Sequence, residues 1–572
     1  MQRTTILSWG FVVGLWGCNP STVQGTRGAG DGAAMGCDGA LLDGGGVDGS
    51  FGGDAVSGPD VPDGVVFLIH PEGAVPPRVE TSARPLRPLS MSLLTTQRPG
   101  LHWILPPGAV GVQFQRCQDY RCNTVVETRQ VMGTTFRYEA PLPVGTWFWR
   151  VRAEGSNGQA VGDWSASWQF RTPLRDTPTD GVAMPYIDLN GDGYADAAFT
   201  VLARMYVMLG SPTGLQAPVE LGEALMSQEG RVADELTSGD INGDGLSDLV
   251  RHNTVGRRYY IHLGQQDSLP NLVQEFDSTQ DRIELAGCGD INSDGYADVF
   301  VSHQIDGQWL GGLGLLGTPT GLHHLPRYTV DIDHRISPRH LLYWGNVTVS
   351  DLDMDGSADV TVLFHYPNLF VVYTPTSRHM MTLWGGNEPV VSMQVLSFPA
   401  TSAFATLCRH DNSGQLSILF DIYLEDRSVG RRPVYWSRSG RDMSMPRLLE
   451  LASATICFPD INGDGIDEQL SEISYALNLS GSAGLSSGRQ TPFVDYQGFS
   501  AVFAAGDFDR DGMTDFAMAQ HSNSLMLVDV ASSVGEISMR VRYGIDSPAG
   551  LRVDPMSSRA NDVRFAQQLK RL

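Results

Sequence analysis

The chain has 572 residues and a net charge of −24, with 64 acidic against 40 basic residues. That length exceeds what one hydrophobic core serves, so two or more domains are expected. The acidic balance argues against nucleic-acid binding, which depends on clustered Lys and Arg.

The N-terminus reads as a targeting segment. Arg3 supplies a positive n-region, and residues 6–16 form an apolar run too short to span a bilayer. The run ends in Leu15, Trp16, Gly17 and Cys18, which resembles a bacterial lipobox. The resemblance makes 1–18 the signal segment and Cys18 the lipidated first residue of an exported lipoprotein. Such a protein is anchored to a membrane, at the outer membrane or cell surface. Trp16 is bulkier than the usual residue of that motif, and cleavage by ordinary signal peptidase is the alternative.

Residues 19–64 read as a linker. Between 19 and 62 there are 13 Gly, many Asp, Ala and Ser, and almost no aromatic residue. Such a stretch buries too little apolar surface to offset its ordering entropy, so disorder is expected. As a flexible coil it spans roughly 35–40 Å, enough to hold folded domains clear of a membrane. Cys37 within it is read as an incidental thiol.

Residues 65–174 change grammar. Trp103 to Leu105, Val112 to Phe114, Phe136 to Tyr138 and Trp147 to Ala153 read as strands separated by Pro and Gly turns. Trp164-Ser165 and then Trp168 to Arg171 complete the series. The segment resembles a fibronectin type III sandwich, whose late strands read aromatic-x-Trp-Arg-Val-Arg-Ala and then Trp-Ser. Strand alternation puts Trp147 and Trp149 on one face and Phe148 on the other. Core packing of these aromatics is weighed against a sugar-stacking platform and preferred. Cys117 and Cys122 stand at a hairpin-tip spacing, and in an exported protein a disulfide is the natural reading. A zinc site needs two further ligands, and the sequence nearby supplies none.

From residue 178 onward one motif recurs, Asp-x-Asn/Asp-x-Asp-Gly-x-x-Asp. Its first, third, fifth and ninth positions are Asp188, Asn190, Asp192 and Asp196, then Asp240, Asn242, Asp244 and Asp248. Next come Asp290, Asn292, Asp294 and Asp298, then Asp351, Asp353, Asp355 and Asp359. The last two copies carry Asp460, Asn462, Asp464 and Glu468, then Asp507, Asp509, Asp511 and Asp515. A Gly is sixth in every copy. The seventh residues, Tyr194, Leu246, Tyr296, Ser357, Ile466 and Met513, are the ones whose backbone carbonyl such a loop turns inward. A hard cation such as Ca²⁺ takes six to eight oxygens at about 2.3–2.6 Å, which this pattern offers. Without a cation, carboxylates about 4 Å apart repel by roughly 4 kcal/mol per pair at an effective dielectric near 20. The alternative, a plain Asp/Asn/Gly turn, suits one copy better than six in register. The twelfth positions lack the Glu of an EF-hand, and strand-like runs follow the loops, so about six Ca²⁺ sites of another kind are expected.

The loops step by 52, 50, 61, 109 and 47 residues. The step of 109 holds a worn copy, Arg409 to Ser417, which keeps Gly414 but has lost most ligands. It is expected to be metal-free, with Arg409 either reaching Asp411 in the cation's stead or pointing into solvent. A second motif keeps the same beat, from Leu209 to Leu215, Leu316 to Leu322, Leu479 to Leu485 and Ser547 to Leu551. A period near 50 residues means a solenoid, propeller or array, and short strands without helical periodicity favour propeller blades. The repeats resemble FG-GAP/VCBS repeats, which build the seven-bladed propeller of integrin α-subunits and some lectins. The resemblance covers about 178–572 and implies a ring of blades, calcium in blade hairpins and a partner on a propeller face. The Phe-Gly and Gly-Ala-Pro signatures of that family are poorly kept.

The expected fold class is therefore all-β: a fibronectin type III-like β-sandwich followed by a seven-bladed β-propeller. Cys288, Cys408 and Cys457 precede loops in different repeats and are expected to be buried free thiols. No nucleophile elbow, zinc-protease helix or phosphate loop occurs. The expected function is a surface-anchored, non-catalytic binding or scaffold protein with a glycan or envelope-protein ligand. A polysaccharide-active enzyme and a purely structural envelope component are the alternatives. Calcium removal is expected to destabilise 178–572 and leave the sandwich unaffected.

Overall fold

A computed structural model describes residues 67–71, 81–201, 204–221, 234–253, 257–278, 283–305, 308–323, 328–332, 343–365, 378–386, 390–396, 402–409 and 413–423. It further describes 431–436, 456–458, 460, 465–471, 476–479, 489–492, 499–520, 525–533, 536–547, 550–553 and 563–564. Cys18 and Cys37 lie outside the described residues, as do the expected signal segment and linker. The described residues are all-β and contain no α-helix. Among them no helix is long and apolar enough to cross a membrane, a statement that leaves β-barrels aside.

The N-terminal part consists of two sheets face to face. One has seven strands, with Gly145–Gly155 between Ala109–Cys117 and Trp168–Thr172; the other has Arg84–Arg87, Gly100–Ile104 and Thr135–Arg137. Alternation along Gly145–Gly155 sorts its aromatics. Trp149, Val151 and Ala153 face the interior with Phe114, Trp103 and Trp168, and Trp147 packs at the margin. The Trp149 and Trp168 rings meet edge to face at 6.3 Å, the arrangement their quadrupoles prefer. Phe148 points the other way, onto the Cys117–Cys122 disulfide and Tyr120. Trp164 is held by Arg150 and Arg152, whose guanidinium carbons lie 4.8 and 4.6 Å from its ring.

After this come seven antiparallel meanders among the described residues, of three or four strands in sequence order except the last, which has five and a sixth paired to its fourth. The second runs Asp234–Gly239, Asp248–Asn253, Arg258–Gln265 and Ser268–Asp277. The third begins with Ile283–Gly289 and ends with Tyr328–Ile332, onto whose edge Phe67–Pro71 pairs antiparallel. A single pairing, Gln308 with Tyr343, joins the third meander to the fourth. Each later loop connects the first two strands of its meander, as Gly239 and Asp248 show by pairing at the loop's base, whereas the first loop leads into Ala197–Val201 and is closed by a single Ile187–Asp196 bridge. Ala197–Val201 of the first meander packs on Asp234–Gly239 of the second and on Phe499–Gly506 of the seventh. The core follows these contacts: Ala197, Phe199, Leu236, Leu249, Phe508 and Ala517 share one cluster. Ile241, Val250, Leu285 and Val299 share another between the second and third meanders.

Candidate metal centre

The acidic loops are built by their own carboxylates. Asp188, Asp240, Asp290, Asp351, Asp460 and Asp507 each accept the N–H of the sixth-position Gly at 2.7–3.0 Å. Those glycines sit at φ between 80° and 100°, a left-handed backbone that side chains resist. The ninth-position Asp196, Asp248, Asp298, Asp359 and Asp515 each take the N–H of the loop's second residue at 2.7–2.9 Å. In four of them the other oxygen accepts the N–H of Gly210, Gly264, Gly317 or Gly385, at or just past the end of the second strand after the loop. The fifth-position Asp192, Asp244, Asp294, Asp355 and Asp511 accept from the N–H of Tyr194, Leu246, Tyr296, Ser357 and Met513.

The loops are also tied to one another. The first-position carbonyl of one loop accepts the eighth-position N–H of the next. Asp188 receives Ser247 at 2.8 Å, Asp240 receives Ala297 at 2.9 Å and Asp290 receives Ala358 at 2.7 Å. Arg409 receives Asp467 at 2.9 Å, and Asp507 of the last loop receives Ala195 of the first at 3.0 Å.

This arrangement concentrates negative charge out of water. Asp188, Asp290, Asp298 and Asp359 are fully buried, and Asp240 is nearly so. Burial first, and then the Asp359 and Asp355 carboxylates, push Asp351 up from 3.8 to about 8. Asp359 rises to about 7, by burial and by Asp353. Asp196, Asp248 and Asp298 are raised by burial and by the other carboxylates of their loops. One oxygen each of Asp240 and Asp351 is buried without a hydrogen-bond partner. A cation among these oxygens would remove both penalties. Asp351, Asp353 and Asp359 place oxygens within 4.8 Å of one another, as do Asp507, Asp509 and Asp515, and either group could hold a metal ion. The first three loops have Asn at the third position and so offer an amide oxygen there instead. Asn190, Asn242 and Asn292 donate to the fifth-position carboxylates of their own loops.

In the sixth loop Asn462 and Asp464 lie outside the described residues. Asp460 is half-buried, Ile466 is buried, and Glu468 begins the strand paired with Phe458. Cys408 and Cys457 lie on strands that lead toward loops, and burial pushes the Cys288 thiol upward.

What faces the loops left no mark in the residue pattern. The fifth-position carbonyl accepts a side-chain donor in five of them. Tyr120 donates to Asp244 at 2.7 Å, Arg84 to Asp294 at 2.6 Å, Arg87 to Asp355 and Thr179 to Ser413. Arg510 of the last loop donates to Asp192 at 3.1 Å. Four of these five donors come from the sandwich or the segment just after it. Ser90 and Trp168 add bonds to Gly245 and Gly243, and Gln169 to Asp188. No protein-family model matches the chain.

Arg409 does not face solvent, and its side chain reaches the next loop. It is 3% exposed, and its Nε and terminal nitrogen donate to Asp467 Oδ1 at 3.0 and 2.5 Å. Its backbone N–H donates to the other oxygen at 2.7 Å. Asp411, its expected partner, lies outside the described residues. Asp467 carries a signal in the residue pattern: the eighth position of the other acidic loops is Ala195, Ser247, Ala297, Ala358 or Thr514.

Proposed function

We propose that the chain is a calcium-stabilised seven-bladed propeller of the FG-GAP/VCBS kind, capped by a fibronectin type III-like sandwich and held at an exported surface by a lipid on Cys18. In this reading it is a non-catalytic binding or scaffold protein for a glycan or an envelope protein. The belt of acidic loops carries the proposal. Seven meanders follow one another, six of them carry an acidic loop beside the same strand, and the last meander packs on the first. The donor set is all oxygen, which suits Ca²⁺ over the softer transition metals.

Calcium here is structural. The carboxylates are spread over successive loops and held there by each loop's own backbone N–H groups, not gathered at one point. The sandwich covers the loop side, so the ligand belongs on the opposite ends of the strands. A glycan array with the purified mature protein, followed by turnover assays on any hit, tests the reading. Binding without turnover is expected. Product formation on a bound polysaccharide would make the chain an enzyme, and binding to nothing would favour a structural role.

A further inference from the structure

Arg171 lies on the sandwich strand Trp168–Thr172, and its side chain leaves the sandwich for the seventh loop. A terminal nitrogen stands 2.6 Å from Asp507 Oδ2 and donates to the Met513 carbonyl at 3.0 Å. The two side chains are only 5% and 4% exposed. Asp507 and the Met513 carbonyl hold the first and seventh positions, two of the oxygens this loop pattern offers to a cation. Asp507 Oδ2 also accepts the Gly512 N–H, and Oδ1 accepts that of Asp511. Asp240 and Asp351, at the same position in other loops, each keep a buried oxygen with no partner.

We propose that Arg171 is a tethered cation that takes the place of calcium in the seventh loop, so that docking of the sandwich and metal loading at that loop exclude one another. The proposal rests on the calcium reading of the other loops. A guanidinium stays protonated under all ordinary conditions and presents several donors in a plane. Placed against the first-position carboxylate, it supplies the positive charge the loop needs, and a divalent ion a few ångströms away would be repelled by it. The neighbouring geometry fits. Arg171 and Arg409 line one small cavity together with Asp460 and Met513, so this sector of the belt is furnished with arginines. The seventh loop nonetheless retains a metal-competent set, since Asp507, Asp509 and Asp515 still converge. Removing the arginine should therefore create a site.

The test counts calcium ions per chain, by calorimetric titration with calcium chloride and by elemental analysis, on the full mature protein and on Arg171→Gln. The variant is expected to bind one more ion than the wild type. Equal counts would overturn the proposal, and no calcium on either protein would overturn the calcium reading as well. Should Arg171→Gln fail to fold, two milder variants decide. Asp507→Asn is expected to leave the wild-type count unchanged, whereas Asp240→Asn lowers it by one. A lower count for Asp507→Asn would refute the idea.

Discussion

Arg409 stands where the six acidic loops carry Asp, and the compensating carboxylate lies 58 residues further on, in the next loop. Both groups are buried, so removing one leaves the charge of the other buried and uncompensated. Arg409→Ala is expected to destabilise the protein by about 3–5 kcal/mol. A double replacement by Leu at 409 and 467 should recover most of that loss, measured by chemical denaturation. Equal losses for the single and double variants would mean that the pair does not act as a unit. The acidic loops make a separate residue-scale prediction. Asp351 and Asp359 sit at about 8 and 7 when no cation is bound, well above the ordinary 3.8. The folded state then holds more protons than the unfolded one between these values, so stability falls as pH rises. In EDTA the melting temperature should therefore rise on acidification from pH 8 to pH 6. With saturating calcium the trend should reverse, because protons compete for the ligands. A flat profile in EDTA would count against buried carboxylates.

At the scale of elements, the sandwich and the loops hold each other in place. Tyr120, Arg84, Arg87 and Thr179, each bonded to a loop carbonyl, give calcium removal a route into the sandwich. Chelation should raise hydrogen exchange in 84–90 and 118–122 as well as in the loops, while 112–114 inside the sandwich stays protected. Gly245 offers a sharper probe. A Cβ there would lie 2.0 Å from the Ser167 carbonyl, on a backbone with φ of 92°. Gly245→Ala should loosen the sandwich in the same exchange measurement, and an unchanged pattern would place the sandwich elsewhere. The role of Gly264 and Gly385 belongs to this scale too. They meet the ninth-position carboxylates as Gly210 and Gly317 do, yet neither keeps the Ser/Thr-Pro-Thr-Gly sequence that marks the other two. Only the shared backbone position reveals them.

For the whole molecule, the belt makes stability a matter of metal concentration. A site with a dissociation constant near 10⁻⁵ M gains roughly 2.7 kcal/mol at millimolar calcium by mass action. Several such sites are large beside total stabilities of about 5–15 kcal/mol. EDTA is expected to lower the melting temperature of the full chain by many degrees, and an identical curve with and without EDTA would defeat the structural role of calcium. The local facts were legible in the residues. Oxygen side chains at alternating positions around a Gly specify a loop, because short-range hydrogen bonds to the loop's own N–H groups decide its shape. Strand runs after each loop likewise declare an all-β chain, since alternation and β-branching act between near neighbours. What the sequence alone left open is which distant groups meet. Arg409 meets Asp467, 58 residues on, Arg171 crosses from the sandwich to Asp507, and the loop carbonyls face Arg84, Arg87 and Tyr120. Those pairings depend on how meanders and sandwich pack. A buried charge must find its partner wherever the packing puts one, and spacing along the chain carries no record of that.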